Sequence, residues 1–237
     1  MIRAALGLVA SSRRRPTATA RPIAVGGARE LVPLLVRELR AGGDASAVRE
    51  GQPAGAAVFV WIGKPDVDAL RAATRAHVPI VGVTDGESLP YVLDTNLVVV
   101  RPGEGLPTER ITRAIAAVVP DGWESVARRL PVLRTPLVDE AIRRQALANA
   151  RAAASVDRAR AATVLTVRQL RLARGIASAH GSERLVAGTL AYLPFSRAIL
   201  RRLGRRLPAR RLVRAGLAYA VTRAVGEAAK WSVRSRS

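Results

Sequence analysis

Gly26 and Gly27 stand where a phosphate site would be built, after the apolar stretch Arg21–Val25 and before a segment of helical period at 29–40. Backbone amides at such a helix start can hold an anion. A working phosphate loop adds a Lys and then a Ser or Thr at the helix start. This chain instead has Ala28, Arg29 and Glu30, and Glu30 opposes a phosphate. At most the glycines are a phosphate-loop remnant; the plain reading is a tight turn. Asp66 and Asp68 follow a second apolar stretch, and two carboxylates at that spacing could hold Mg²⁺. Helix capping and favourable charge in a first turn explain them better. Asp85 and Glu87 could read a nucleotide base, but Asp85-Gly86 is a common turn pair.

The remaining chemistry is sparse. There is no cysteine, which excludes a disulfide framework, a zinc–thiolate site and a thiol nucleophile. His77 and His180 are the only histidines, and neither has a partner at metal-ligand spacing. No Gly-x-Ser-x-Gly elbow occurs. No complete catalytic set is present, so we expect a chain that is not an enzyme and uses neither cofactor nor metal.

Charge is the stronger signal. The chain has 37 Arg and two Lys, Lys64 and Lys230, against 18 acidic residues, a net +21. An Arg bias of this kind also follows from a GC-rich genome, which tempers arguments from Arg alone. The charge is uneven: residues 1–136 carry +5 and residues 137–237 carry +16. Arg197, Arg201 and Arg205 step by four, as do Arg202 and Arg206, and Arg210, Arg211 and Arg214 follow. On a helix these make a cationic stripe with Leu200, Leu203 and Leu207 on the other side. Such a segment suits anionic lipid or phosphate backbones. A solvated face is the competing reading. Nucleic-acid modules usually add stacking aromatics or a reading helix; aromatics are 3% here. Nucleic acid is therefore the less favoured partner, and the oligomeric state is open. Trp61 reads as core, and Trp231, near the end of a basic helix, as an interface residue.

The elements that carry these residues fall into two groups. Strand candidates at 21–25, 56–62, 78–83 and 97–100 alternate with helix candidates at 29–40, 66–76 and 107–118. Continuous apolar strands between helices predict a small, mostly parallel, Rossmann-like sheet with helices on both faces. From Asp121 the strand signals stop, and Pro131 and Pro136 mark a boundary. Helices are expected at 137–154, 163–179, 183–203 and 209–233, punctuated by Gly181, Gly204 and Pro208. The expected organisation is a disordered basic leader over 1–20, an α/β domain over 21–130 and a basic all-α helical domain over 137–233. The longest charge-free stretch in the helical half, Leu185–Ser196, is 12 residues. A spanning helix needs about 20, so insertion is the less favoured mode.

Two stretches carry a family resemblance. Val167, Arg168 and Gln169 through Ala179, His180 and Gly181 resemble the Gln…Tyr-Gly helix of the helical domain that follows Era-like GTPase domains and occurs in YcjF-type membrane-associated proteins. Leu217 to Ala229 looks like that domain's final helix, with Ala218-Tyr219, Thr222 and Gly226 at its spacing. His180 stands in place of the usual Tyr. The resemblance covers residues 137–233. It implies a decayed GTPase-like core in the front half, where Thr84-Asp85-Gly86-Glu87 lacks the Asn and Lys of a guanine-reading Asn-Lys-x-Asp. GTP hydrolysis is not implied. The expectation is a non-catalytic interaction protein, cytoplasmic and peripheral at the inner membrane face, meeting anionic lipid and a partner protein such as a GTPase. An atypical nucleotide-binding protein is the alternative, and a basic nucleic-acid-associated protein the second.

Overall fold

The computed structural model describes residues 21–101, 103–119, 122–155, 158–181 and 211–234. The expected leader over 1–20 and the helix candidate at 183–203 lie outside them.

Five strands form one sheet: β1 (Ile23–Gly27), β2 (Val48–Glu50), β3 (Val58–Ile62), β4 (Ile80–Thr84) and β5 (Leu97–Val99). Every pairing is parallel, in the order β2-β1-β3-β4-β5. This is a doubly wound order whose direction reverses between β1 and β3. Central β3 and β4 are buried along their whole length, as their apolar sequences require when both faces are covered.

The pleat sorts side chains between the faces. Ile23, Val25, Val58, Val60 and Ile62 pack with Leu35 and Leu39 of α1 (Val32–Arg40) and with Ile111 and Ile115 of α3 (Thr108–Val118). Phe59 and Trp61 face the other way, onto Leu70 and Ala73 of α2 (Val67–Arg75).

The chain continues through α4 (Trp123–Arg129), α5 (Pro131–Ser155), α6 (Arg158–Ala179) and α7 (Arg211–Arg234). An α/β half is thus followed by a helical one, as the sequence predicts. The join differs from the expected boundary at Pro131–Pro136. Pro131 opens α5, where a missing N–H costs nothing. Pro136 lies inside the same unbroken helix. The core is also continuous across the join: Leu130, Leu133, Leu137, Val138, Ile142 and Ile176 belong to the same buried cluster as the β1 and β3 side chains. The change near residue 130 is one of architecture, with no gap in the packing.

Within the helical half, α5, α6 and α7 pack side by side. Gly226 sets the α5–α7 separation, because a Cβ there would lie 2.6 Å from the Ile142 side chain. Lys230 ties α7 to Asp139 of α5 and pairs with Glu227 at 3.2 Å. Burial alone would depress the ammonium of Lys230, but hydrogen bonds from it to Asp139 and Glu227 outweigh burial and raise its pKa.

Candidate functional site

In doubly wound sheets ligands bind beyond the carboxyl ends of the strands, at the point where the order reverses. Here that point lies between Gly27 and Ile62, next to the predicted phosphate-loop remnant. The Ala28 amide, which an anion would need, donates to the Ile62 carbonyl at 2.7 Å. The Gly63 amide donates to Val83 O at 2.8 Å, and the Val100 amide to Thr84 O at 2.6 Å. The sheet ladder thus continues one residue past its strands and stitches the edge shut.

The glycines have a packing cause. A Cβ on Gly27 would lie 1.9 Å from the Ile62 carbonyl oxygen, at φ +127°. A Cβ on Gly26 would lie 2.9 Å from the Phe59 ring, which packs at a tilt on Trp61 with ring centroids 5.9 Å apart. Both positions lack space for any side chain. The tight turn is what the structure builds.

The other polar candidates also resolve into local roles. Asp66 caps α2, its Oδ1 accepting from the amides of Asp68 at 3.0 Å and Ala69 at 3.1 Å. Asp68 faces Arg71 at 3.2 Å on the exposed helix surface. Trp61 is buried as expected, and its Nε1 donates to Lys64 O at 2.8 Å, pinning the loop after β3. Thr84 Oγ1 donates to Glu87 O at 2.9 Å and accepts from the Gly86 amide at 3.3 Å, closing the Asp85-Gly86 turn. His77 holds a left-handed conformation, φ 52°, just past α2. Its amide donates to Thr74 O and that of Val78 to Ala73 O, a Schellman closure of the helix end. Among the described residues no group of three or more His, Cys, Asp or Glu could hold a metal ion.

The basic stripe is only partly visible. Arg197, Arg201, Arg202, Arg205, Arg206 and Arg210 lie outside the described residues. Arg211 is exposed at the start of α7. Arg214 is half-buried, and its shielded Nε has no hydrogen-bond partner among the described residues. Next to them Leu212 is 85% exposed, and Trp231, at the other end of α7, is 71% exposed. Among the described residues no helix is long and apolar enough to cross a membrane.

Two polar clusters escape sequence reasoning. The first is a buried node where α5, α6 and α7 meet. Asn149 Nδ2 donates to Thr222 Oγ1 at 3.0 Å, and Gln169 Nε2 donates to the same oxygen at 3.4 Å. Thr222 Oγ1 in turn donates to Ala218 O at 2.7 Å, and Gln145 Nε2 donates to Asn149 Oδ1 at 3.1 Å. Gln169 and Thr222 thus come together from α6 and α7. The second cluster joins the two halves. Arg144 of α5 donates to the Val119 carbonyl at 2.8 Å, to Ala116 O at 3.1 Å and to Ala117 O, at the C-terminal end of α3. Its Nε donates to Glu140 Oε1 at 2.8 Å, and Arg143 grips Glu140 with two bonds of 2.7 Å. Burial would raise the Glu140 pKa, but the two guanidinium groups outweigh it and lower it. A cleft of about 270 Å³ opens beside this cluster, lined by Trp123, Glu124, Glu140, Arg144 and Arg171 among others. Of its lining residues, Glu140 and Arg144 are engaged in the bonds just described.

No family model, curated protein or solved structure matches this chain.

Proposed function

We propose that this protein is a non-catalytic interaction protein that attaches peripherally to an anionic membrane surface on the cytoplasmic side, and that a partner protein such as a GTPase works beside it. The observation that carries the reading is the charge step, +16 on residues 137–237 against +5 before them, with the stripe Arg197–Arg214 running into a helix that exposes Leu212 and Trp231. Each Arg near anionic headgroups contributes about 1 kcal/mol. Amphipathic rings such as that of Trp231 are favoured at the headgroup level. The engagement of the Ala28 amide by Ile62 O, with Glu30 close by in the chain and no Lys or hydroxyl in the loop, supports the same reading over the nucleotide alternative.

Vesicle flotation of the intact chain tests it. Recovery should need anionic lipid, weaken as salt rises, and fall when Arg201, Arg202, Arg205 and Arg206 are changed to Gln. No recovery with any lipid would end the proposal. Calorimetry with MgGTP or MgATP should show no binding at micromolar concentration; Mg-dependent binding would favour the nucleotide alternative.

A further inference from the structure

The outward side of α7 has a composition at odds with its surroundings. Burial of Ala218, Thr222, Val225, Gly226 and Ala229 fixes which side of the helix faces inward. The opposite, exposed side carries Leu212, Gly216, Ala220, Arg223, Ala224, Glu227 and Trp231. At 1.5 Å per residue the stripe runs about 28 Å from Leu212 to Trp231. Its ends are large and apolar, and its middle is small apart from one basic and one acidic residue.

The acid is the informative residue. After Asp157 the chain has only two acidic residues, Glu183 and Glu227. Glu227 sits on the outward side of α7, its side chain 52% exposed, one turn beyond Arg223. Lys230, which pairs with it at 3.2 Å, is also neutralised by Asp139, so Asp139 and Glu227 together balance Lys230 and Arg223. Two copies of a chain with net charge +21 repel one another. Contact between them requires a place where the charge is locally balanced, and this stripe is such a place.

The geometry points to a homodimer in which the outward sides of two α7 helices pack antiparallel about a two-fold axis at the height of Val225. Arg223 and Glu227 lie two residues on either side of Val225, so each Arg223 meets Glu227 of the second copy. The pair is formed twice, as an isologous interface requires. A parallel arrangement would instead set Arg223 against Arg223 and Glu227 against Glu227. The same antiparallel register places Trp231 at a height between Gly216 and Ala220 of the second copy. The bulkiest side chain of the stripe thus meets its smallest ones, which allow close helix approach. Space exists at Gly216, where a Cβ would meet nothing within 4 Å among the described residues. The inference does not rest on the lipid reading; the two share Leu212 and Trp231, so the dimer is tested without lipid, where they do not compete.

The test is the molar mass of the intact chain by sedimentation equilibrium, without lipid. The expected result is a reversible dimer. Glu227→Arg should weaken it by at least about tenfold, since it sets like charges face to face. The double exchange Arg223→Glu with Glu227→Arg should restore it, because the pair re-forms with its signs swapped. Trp231→Ala should weaken the dimer without changing its salt dependence. Circular dichroism of each variant checks that the helices remain. A monomer at every concentration would overturn the proposal, as would a dimer indifferent to Glu227→Arg or a double exchange no better than the single one.

Discussion

Replacing Arg144 by Met should lower stability by about 2 kcal/mol, and the reason is a helix end. The last carbonyls of α3 have no partners within their own helix. Arg144 reaches over from α5 and donates to two of them, Ala116 and Ala117, and to the carbonyl of Val119, which caps the helix. A hydrogen bond from a charged donor is worth roughly 1.5–3 kcal/mol when water is excluded. The Arg144 side chain is 41% exposed, so water replaces part of what is lost. Cation–dipole attraction at a helix C-terminus adds about 0.3–1 kcal/mol. A net cost near 2 kcal/mol follows, with Met chosen to keep the apolar stem packed. In a chain of this length that shifts the melting midpoint by about 4–8 °C. Arg144→Lys should recover roughly half, because it keeps the charge but not the planar fork. Urea titration followed by circular dichroism reads all three proteins. If Met falls within about 0.5 kcal/mol of the parent, or Lys matches Arg, the guanidinium fork is not what closes α3.

Three further outcomes follow from the packing. Asp44 accepts from Ser46 and from Arg129 at 2.9 Å, and these bonds lower its pKa to about 2 from 3.8. Its contribution is present above pH 3.8 and is lost as pH falls through 2, so the stability gap between the parent and Asp44→Asn should close over that window in an acid titration. Thr222→Val removes the oxygen on which Asn149 and Gln169 converge and should cost about 2–3 kcal/mol in urea; joining it to Asn149→Leu should cost less than the two changes summed. A fragment of residues 21–130 lacks Leu133, Leu137, Val138 and Ile142, which continue the sheet's core, and should melt well below the intact chain. An equal midpoint would show that the α/β half supports itself.

The sheet was legible where its physics is local. β3 and β4 are apolar without interruption because both of their faces are covered, and any such stretch between helical periods reads as a buried parallel strand. β2 was invisible. It has three residues, of which Arg49 and Glu50 are charged, so no pattern marks it. Its position depends on β1 and on the Arg40 guanidinium, whose Nη2 donates to Val48 O at 2.7 Å. The Asp66 cap, the Asp85-Gly86 turn and the burial of Trp61 were legible for the same local reason. The Asn149–Gln169–Thr222 node was not, because its members come from three helices. Each taken alone is a polar residue on a helix. The start of α5 was misplaced because proline reads as a stop, whereas Pro131 occupies the one helical position that suits it.

Gly26-Gly27 shows why a motif must be tested against space and hydrogen bonds together. A phosphate loop uses glycine so that a ligand can approach the backbone, and it leaves its amides free for that ligand. Here glycine admits the chain's own atoms: the Ile62 carbonyl beside Gly27 and the Phe59 ring beside Gly26. The Ala28 amide is already bonded to Ile62. A bound phosphate would have to break that bond and part β1 from β3 at the centre of the sheet. Glu30 would then stand near the anion, with no Lys or hydroxyl in the loop to compensate. The same pair of glycines therefore favours a closed sheet end over an open site. The excess positive charge lies in the second half, which has about as many basic residues as the first but far fewer acidic ones.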